Sequence, residues 1–281
     1  MSADEEQKKR SSCVCCHMNL RGISATRIIL WLVAITIVSF AIGFGILALN
    51  GGSSPSGDHP FTPFRNNALL TSNTTLIPLD EATSGDVRLT LGAGDLTLRG
   101  GAPDTALMEA TVFTEAGIWQ PELAQEVNNA QKVVTITEKG HTGKTWFAVD
   151  SPNRWEIRLS DTIPIRLEEN VGAGDNTLRL GTLNLETLSV HTGAGDTIVD
   201  LSGYHGGRFD ATIKTGVGDL RLRIPQTSNT RIVVHQGIGD INEDGFIRHD
   251  DTYITAGFNS SIAVNQITLN QGVGSITLEA V

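Results

Sequence analysis

Val190-His-Thr-Gly-Ala-Gly-Asp196 is the clearest of six copies of a Gly-x-Gly-Asp turn. The others are Gly92-Ala-Gly-Asp95, Gly172-Ala-Gly-Asp175, Gly216-Val-Gly-Asp219, Gly237-Ile-Gly-Asp240 and Gly272-Val-Gly-Ser275. From the second copy to the sixth, the first glycines lie 21, 23, 21 and 35 residues apart. A repeat near that period, built of short β-type segments, predicts a solenoid: one coil cannot bury its own apolar face, but stacked coils can.

Aligning the copies on their first glycine sharpens this. Three residues earlier stand Val190, Ile213, Val234 and Leu269, and five earlier Leu188, Ala211, Ile232 and Ile267. Six residues later come Leu98, Leu178, Val199, Leu222 and Leu278. These period-two positions predict strands with one face in a core. Between the glycines the residue is always apolar (Ala93, Ala173, Ala194, Val217, Ile238, Val273), which predicts that the turn tucks this side chain inward. The second glycines, Gly94, Gly174, Gly195, Gly218, Gly239 and Gly274, are expected to supply positive φ or close approach between coils.

Stacking places the turn aspartates Asp95, Asp175, Asp196, Asp219 and Asp240 in a column at about 4.8 Å. Carboxylates that close repel, so something must offset them. The expected device is a backbone N–H bond within each Asp's own turn, with Ser275 keeping the acceptor and dropping the charge. A metal or catalytic column is the alternative.

The net charge is −10. Residues 1–27 hold five Lys/Arg against three acids, so the remainder carries −12. That acidity argues against nucleic acid or an anionic lipid surface as partner. Ile28 to Leu49 is 22 residues without a charge, long enough to cross a bilayer as a helix. No convincing cleavage site follows it, which predicts an uncleaved anchor. Lys8, Lys9, Arg10, Arg21 and Arg27 precede the run, and the next basic residue is Arg65. The expected topology is single-pass, with the N-terminus cytoplasmic and the repeats extracytoplasmic. Ala41 and Gly45 form a small-xxx-small pair suited to a homodimer through this helix.

All three cysteines, Cys13, Cys15 and Cys16, precede the run. Three readings stand open: no specific role, half of a metal knuckle, or acylation. Residues 50–70 read as a Gly/Ser/Pro linker, 71–170 as a β-sheet module with a polar stretch between its Leu107–Phe113 and Val133–Thr137 strands, and 171–281 as the repeats. Asn73 and Asn259 begin sequons for glycosylation.

Leu89-Thr-Leu-Gly-Ala-Gly-Asp-Leu-Thr-Leu-Arg-Gly-Gly101, Leu107-Met-Glu-Ala-Thr-Val, Trp155-x-Ile-x-Leu with Ile163-Pro164, Val171-Gly-Ala-Gly, and Leu183-x-Leu-x-x-Leu-x-Val-x-Thr-Gly-Ala-Gly195 follow one another in order. In this set the chain resembles the toast-rack and LiaF-like cell-envelope family, over most of residues 74–281. The resemblance implies a right-handed β-solenoid. For some members it also implies a part in the response to cell-wall-active antibiotics, through a membrane-bound histidine kinase. The regulatory members have several membrane helices where this chain has one apolar run.

Two further chemistries are open to these residues. Asp240-Ile-Asn-Glu-Asp-Gly-Phe-Ile-Arg-His-Asp-Asp251 matches a calcium loop; the Ca²⁺ ligands would be Asp240, Asn242, Asp244, the Phe246 carbonyl and Asp251, with Gly245 at the sharp turn. Arg248 at the water-bridging position and Asp251 in place of the usual Glu depart from that pattern. A glycan-active β-helix enzyme would use acid pairs among Asp196, Asp200, Asp210 and Asp219, yet aromatics are only 5%, which leaves few sugar-stacking platforms. His191, Lys214, His235 and Asn270 share one outward position, where the intervening lysine spoils a metal site. No phosphate loop or nucleophile–histidine constellation appears. The reading is an all-β, non-enzymatic membrane protein that binds or spaces an envelope protein or glycan, with no cofactor beyond that possible calcium.

Overall fold

The computed structural model describes residues 70–115, 121–138 and 153–281. The expected tail with its cysteines, the apolar run 28–49 and the linker through residue 69 lie outside the described residues. Among the described residues no helix is long and apolar enough to cross a membrane.

The described residues form nineteen strands, most of them with apolar and polar residues in alternation. The first seven are β1 (Leu70–Pro78), β2 (Ser84–Ala93), β3 (Asp95–Gly100), β4 (Ala106–Glu115), β5 (Pro121–Asn128), β6 (Gln131–Glu138) and β7 (Arg154–Leu159). Six more follow: β8 (Pro164–Ala173), β9 (Asn176–Arg179), β10 (Asn184–Ala194), β11 (Thr197–Asp200), β12 (Asp210–Val217) and β13 (Leu220–Ile224). The last six are β14 (Thr230–Ile238), β15 (Ile241–Asp244), β16 (Phe246–His249), β17 (Thr252–Thr255), β18 (Asn265–Val273) and β19 (Ile276–Ala280).

They form two sheets, of nine and ten strands. Every Gly-x-Gly-Asp turn joins a strand of the larger sheet to a strand of the smaller one, and neighbouring repeats pair in parallel in both. The aligned apolar residues Val190, Ile213, Val234, Leu269, Leu98, Leu178, Val199, Leu222 and Leu278 all lie in the core between the sheets. The sheets run without a break through the boundary expected at 170/171, which falls inside β8; that strand pairs with β2 on one side and β10 on the other.

The order of the rungs differs from the order of the chain. In space it runs β6/β7, β2/β3, β8/β9, β10/β11, β12/β13, β18/β19, β14/β15. The sixth repeat therefore sits between the fourth and the fifth. Strands β18 and β19 bury Ile267, Leu269, Ile276 and Leu278 and can take neighbours on both sides. Strand β15 instead carries exposed Glu243 where its equivalents carry Leu or Val, which suits an end rung. Asn265 locks the inserted strand: its Oδ1 accepts the Phe209 N–H at 3.3 Å, and its Nδ2 donates to Thr230 Oγ1 at 3.3 Å.

Antiparallel strands cover the ends. At one end β4 pairs with β7 and β1 with β4, and β5 lies on β6; at the other β17 and β16 extend the sheet from β14. Such caps protect edges that would otherwise recruit further strands. Strand β5 falls in the stretch expected to be only polar. It is exposed nearly throughout, so no apolar alternation announces it.

Candidate functional site

The turn is built by close approach. All six second glycines have φ between +130° and +144°. A Cβ on Gly195 would stand 2.1 Å from the Gly174 carbonyl oxygen, and one on Gly274 would stand 1.9 Å from that of Gly218. The first glycines are as confined: a Cβ on Gly193 would lie 2.4 Å from the Gly172 oxygen, and Gly172, Gly216, Gly237 and Gly272 meet their neighbours alike. Gly92 faces the Glu138 carboxylate instead.

Two expectations about the turn are corrected. The apolar residue between the glycines faces solvent. Ala93, Ala173 and Ala194 are exposed, and Val217 (56%), Val273 (44%) and Ile238 (70%) more conspicuously so. The cause is a break in the ladder. Thr192 pairs with Val171 and Ala194 with Ala173, but Gly193 is skipped, so the inward–outward alternation is lost where the chain bends. The result is an apolar ridge along the stack.

The aspartates also bond differently. In the first four copies the carboxylate accepts the N–H of the next rung's turn rather than its own: Asp175 N–H to Asp95 (3.1 Å), Asp196 to Asp175 (3.0 Å), Asp219 to Asp196 (2.9 Å) and Ser275 to Asp219 (2.8 Å). The column thus offsets its own repulsion, since each charge takes a donor from its neighbour. Ser275 ends this run; its hydroxyl makes no hydrogen bond to the Asp240 turn.

At the other end the β6/β7 rung has no Gly-x-Gly-Asp turn, and two residues invisible to repeat reasoning replace it. Glu138 accepts the N–H groups of Gly92 and Ala93. Asn153 donates to Ala93 O and to Glu138 (both 2.7 Å), and its own carbonyl accepts the Asp95 N–H at 2.9 Å. Trp155 Nε1 fixes Asn153 at 3.0 Å. Burial raises the Glu138 carboxyl, against the lowering effect of the Gly92, Ala93 and Asn153 donors.

Inside the rungs runs a polar seam. Glu169 is fully buried at a position where the neighbouring rungs place Leu89 and Val190. It accepts Asn176 Nδ2 at 2.7 Å, and Thr197 donates to Thr192 at 2.9 Å. Desolvation pushes the Glu169 carboxyl up to about 8, opposed by Asn176, so it is protonated at neutral pH.

Outside, an open groove of ≈ 990 Å³ follows the turns across the larger sheet. Its outward column is Thr90, Asn170, His191, Lys214, Asn270 and His235, in that spatial order, with Asp251 at the far end. His191 Nδ1 meets Asn170 Oδ1 at 3.0 Å. The shared position of His191, Lys214, His235 and Asn270 was legible in the sequence. That Asn270 stands between Lys214 and His235 was not.

The calcium ligands do not converge. Asp240 sits in a turn, Asn242 and Asp244 lie on extended β15, and Gly245 (φ +80°) makes a corner into β16, which begins at Phe246. Asp251 lies beyond, in the turn between β16 and β17. A strand advances about 3.3 Å per residue, so pairing β15 with β19 draws the ligands apart. Among the described residues no group of three or more His, Cys, Asp or Glu side chains is placed to hold a metal ion.

The acid pairs weighed for glycan hydrolysis are committed elsewhere. Asp196 and Asp219 belong to the turn ladder, and Asp210 pairs with Arg208. Asp200 meets Arg223 at 3.0 Å. Partial burial raises Asp200, but bonds from Ser202 and the Arg223 charge outweigh it and lower its carboxyl, the wrong direction for a general acid. The sequon residues Asn73 and Asn259 are both exposed.

A family model for the N-terminal domain of toast_rack (DUF2154) matches residues 66–223. No curated protein matches the chain. Among solved structures, a candidate cell adhesion protein from Clostridium sporogenes superposes with a TM-score of 0.69 at 23% identity, over 75% of this chain and 100% of that one. A candidate adhesin from Bacteroides fragilis covers 74% of this chain and 96% of its own at 10% identity, with a TM-score of only 0.29.

Proposed function

Because the chain belongs to the toast-rack family, we propose that it is a non-enzymatic, single-pass membrane protein whose solenoid stands outside the cell and binds or spaces a component of the envelope. The solenoid has the right-handed coil that the family resemblance implies. Residues 28–49 are its anchor, residues 1–27 its cytoplasmic tail and the segment after the anchor its tether. Ala41 and Gly45 offer a packing face for a dimer. The basic residues before the apolar run and their absence until Arg65 support this orientation.

One observation carries the binding role: an open groove crosses six rungs and presents a continuous column of polar side chains, while Asp196, Asp219, Asp210 and Asp200 are held in ladder bonds and ion pairs and Asp251 is the one carboxylate among the described residues that lines the groove. Such a surface can hold an extended ligand, and with one carboxylate in its lining it brings together no pair of acids for glycan hydrolysis.

Crosslinking in intact cells tests the reading. Envelope polymer or an envelope protein should be recovered on the solenoid. A membrane histidine kinase as the main product would instead support a regulator of the envelope stress response, and turnover of an envelope glycan would overturn the non-enzymatic reading. An impermeant thiol reagent should miss Cys13, Cys15 and Cys16; their labelling would reverse the orientation.

A further inference from the structure

The polar column of the groove has a length, a spacing and a charge, and together these describe a ligand. Thr90, Asn170, His191, Lys214, Asn270 and His235 stand on consecutive rungs. At about 4.8 Å per rung the column is about 24 Å long, and every rung offers a side-chain donor.

These six positions contain no carboxylate, and Asp251 stands beyond them. Among the described residues, the Lys214 ammonium has no ion-pair partner and the His235 ring and Asn270 amide have no hydrogen bond. Elsewhere on the same sheet Arg88 and Arg166 are neutralised by Asp86 and Glu186, and Arg208, just before β12, by Asp210; Arg231 on β14 is also unpaired among the described residues but stands outside the groove lining. On a chain of net charge −10, an unpaired cation among free donors on the floor of an open groove is a place where an anion gains a partner without displacing one. Asp251 marks the end of that path.

Spacing separates the classes of polymer. Side chains on one face of an extended peptide recur every ~6.7 Å, so a peptide leaves the rung register within two or three contacts. A pyranose chain linked through opposite corners of its rings advances by close to one rung per sugar. Among the described residues no Phe, Trp or Tyr lines the groove, so a neutral glycan lacks a large stacking platform and recognition falls to charge and hydrogen bonds. A flexible polyol phosphate would have to be ordered on a column that is already rigid, which costs affinity.

We propose that this groove binds a linear carboxylated glycan laid along the stack, about one sugar per rung, with its acidic groups on Lys214, on His191 one rung away and on His235 two rungs away on the other side. The proposal rests on the binding role argued above and gives it a ligand chemistry.

The test is calorimetric titration of the purified full chain with a hexamer of 1,4-linked mannuronate, beside the neutral 1,4-linked mannose hexamer. The uronate should bind, more weakly as salt rises, and at least tenfold more tightly than a uronate dimer that reaches only two rungs. The neutral hexamer should not bind. Lys214 is exposed, so Lys214→Gln should leave the melting temperature unchanged and weaken uronate binding by about tenfold, the scale of one charge-assisted hydrogen bond. Arg231→Gln, at an exposed position outside the groove lining, should leave it unchanged. Equal binding of the two hexamers, binding of neither, an unaffected Lys214→Gln, or a preference for poly(glycerol phosphate) would each overturn the proposal. Sedimentation of the chain with isolated envelopes reads the broader role separately. Retention there without uronate binding removes the ligand assignment alone, and loss of both removes the binding role as well.

Discussion

Gly195→Ala isolates what holds the rungs together. Gly195 has φ +130°, and an added Cβ would lie 2.1 Å from the carbonyl oxygen and 2.6 Å from the carbonyl carbon of Gly174. Both contacts are backbone, so no side chain can rotate away. Strain at this φ costs about 1–3 kcal/mol, and wedging two rungs apart adds about 1–3 kcal/mol. The sum, roughly 2–6 kcal/mol, is a large share of the 5–15 kcal/mol that stabilises ordinary domains. Two controls separate the terms. Gly101 has φ +82° but nothing within 4 Å of its added Cβ, so Gly101→Ala carries the strain alone. Gly257 has neither constraint, and Gly257→Ala should be neutral or slightly stabilising. Urea denaturation followed by circular dichroism should rank the losses Gly195 > Gly101 > Gly257, with a fall in melting temperature on the order of 10 °C for Gly195→Ala. A Gly195→Ala protein no less stable than Gly101→Ala would refute the close-approach argument.

The carboxylate ladder predicts a contrast between two aspartates. Asp196→Ala removes the acceptor of the Asp219 N–H and should cost about 1 kcal/mol, whereas Asp240, whose side chain makes no rung bond, should tolerate alanine; equal losses in urea midpoint would show that the ladder contributes nothing. Glu169 sets a pH dependence. Its folded pKa of about 8 lies above the carboxyl's ordinary 4.5, so between those values the native state holds a proton that the unfolded state has released. Its stabilisation is complete below the unfolded value and is lost as pH rises towards about 8. Glu169→Gln should flatten the stability profile between those limits relative to wild type, and an unchanged slope would move the effect to another group. Millimolar Ca²⁺ should leave the melting temperature unmoved, because the Asp240–Asp251 segment is drawn out on both sides of a corner; a rise that Asp244→Ala abolishes would show that it refolds around the ion.

The sequence by itself determined which residues face the core and where the chain turns. Period-two spacing of Leu188, Val190 and Val199 about Gly193 is a local property of each strand, and the core contains them as that spacing requires. The need for glycine at Gly195 was legible for the same reason: a recurring glycine pair in a tight turn has few physical explanations. Tertiary structure alone decided who neighbours whom. Parallel rungs of nearly identical pattern present almost the same edge to one another, so local periodicity cannot tell the fourth repeat whether the fifth or the sixth will lie beside it. The choice fell to features outside the pattern. The residues between β17 and β18 let the chain return, Asn265 reaches both flanking strands, and Glu243 suits β15 to an end. The exposure of Val217 and Ile238 was hidden by the skipped glycine, because alternation predicts facing only while the ladder is unbroken. The groove depended on both levels. Its outward column could be aligned from the sequence, but its spatial order, and hence the free Lys214 and Asn270 side by side, existed only once the sixth rung was seated.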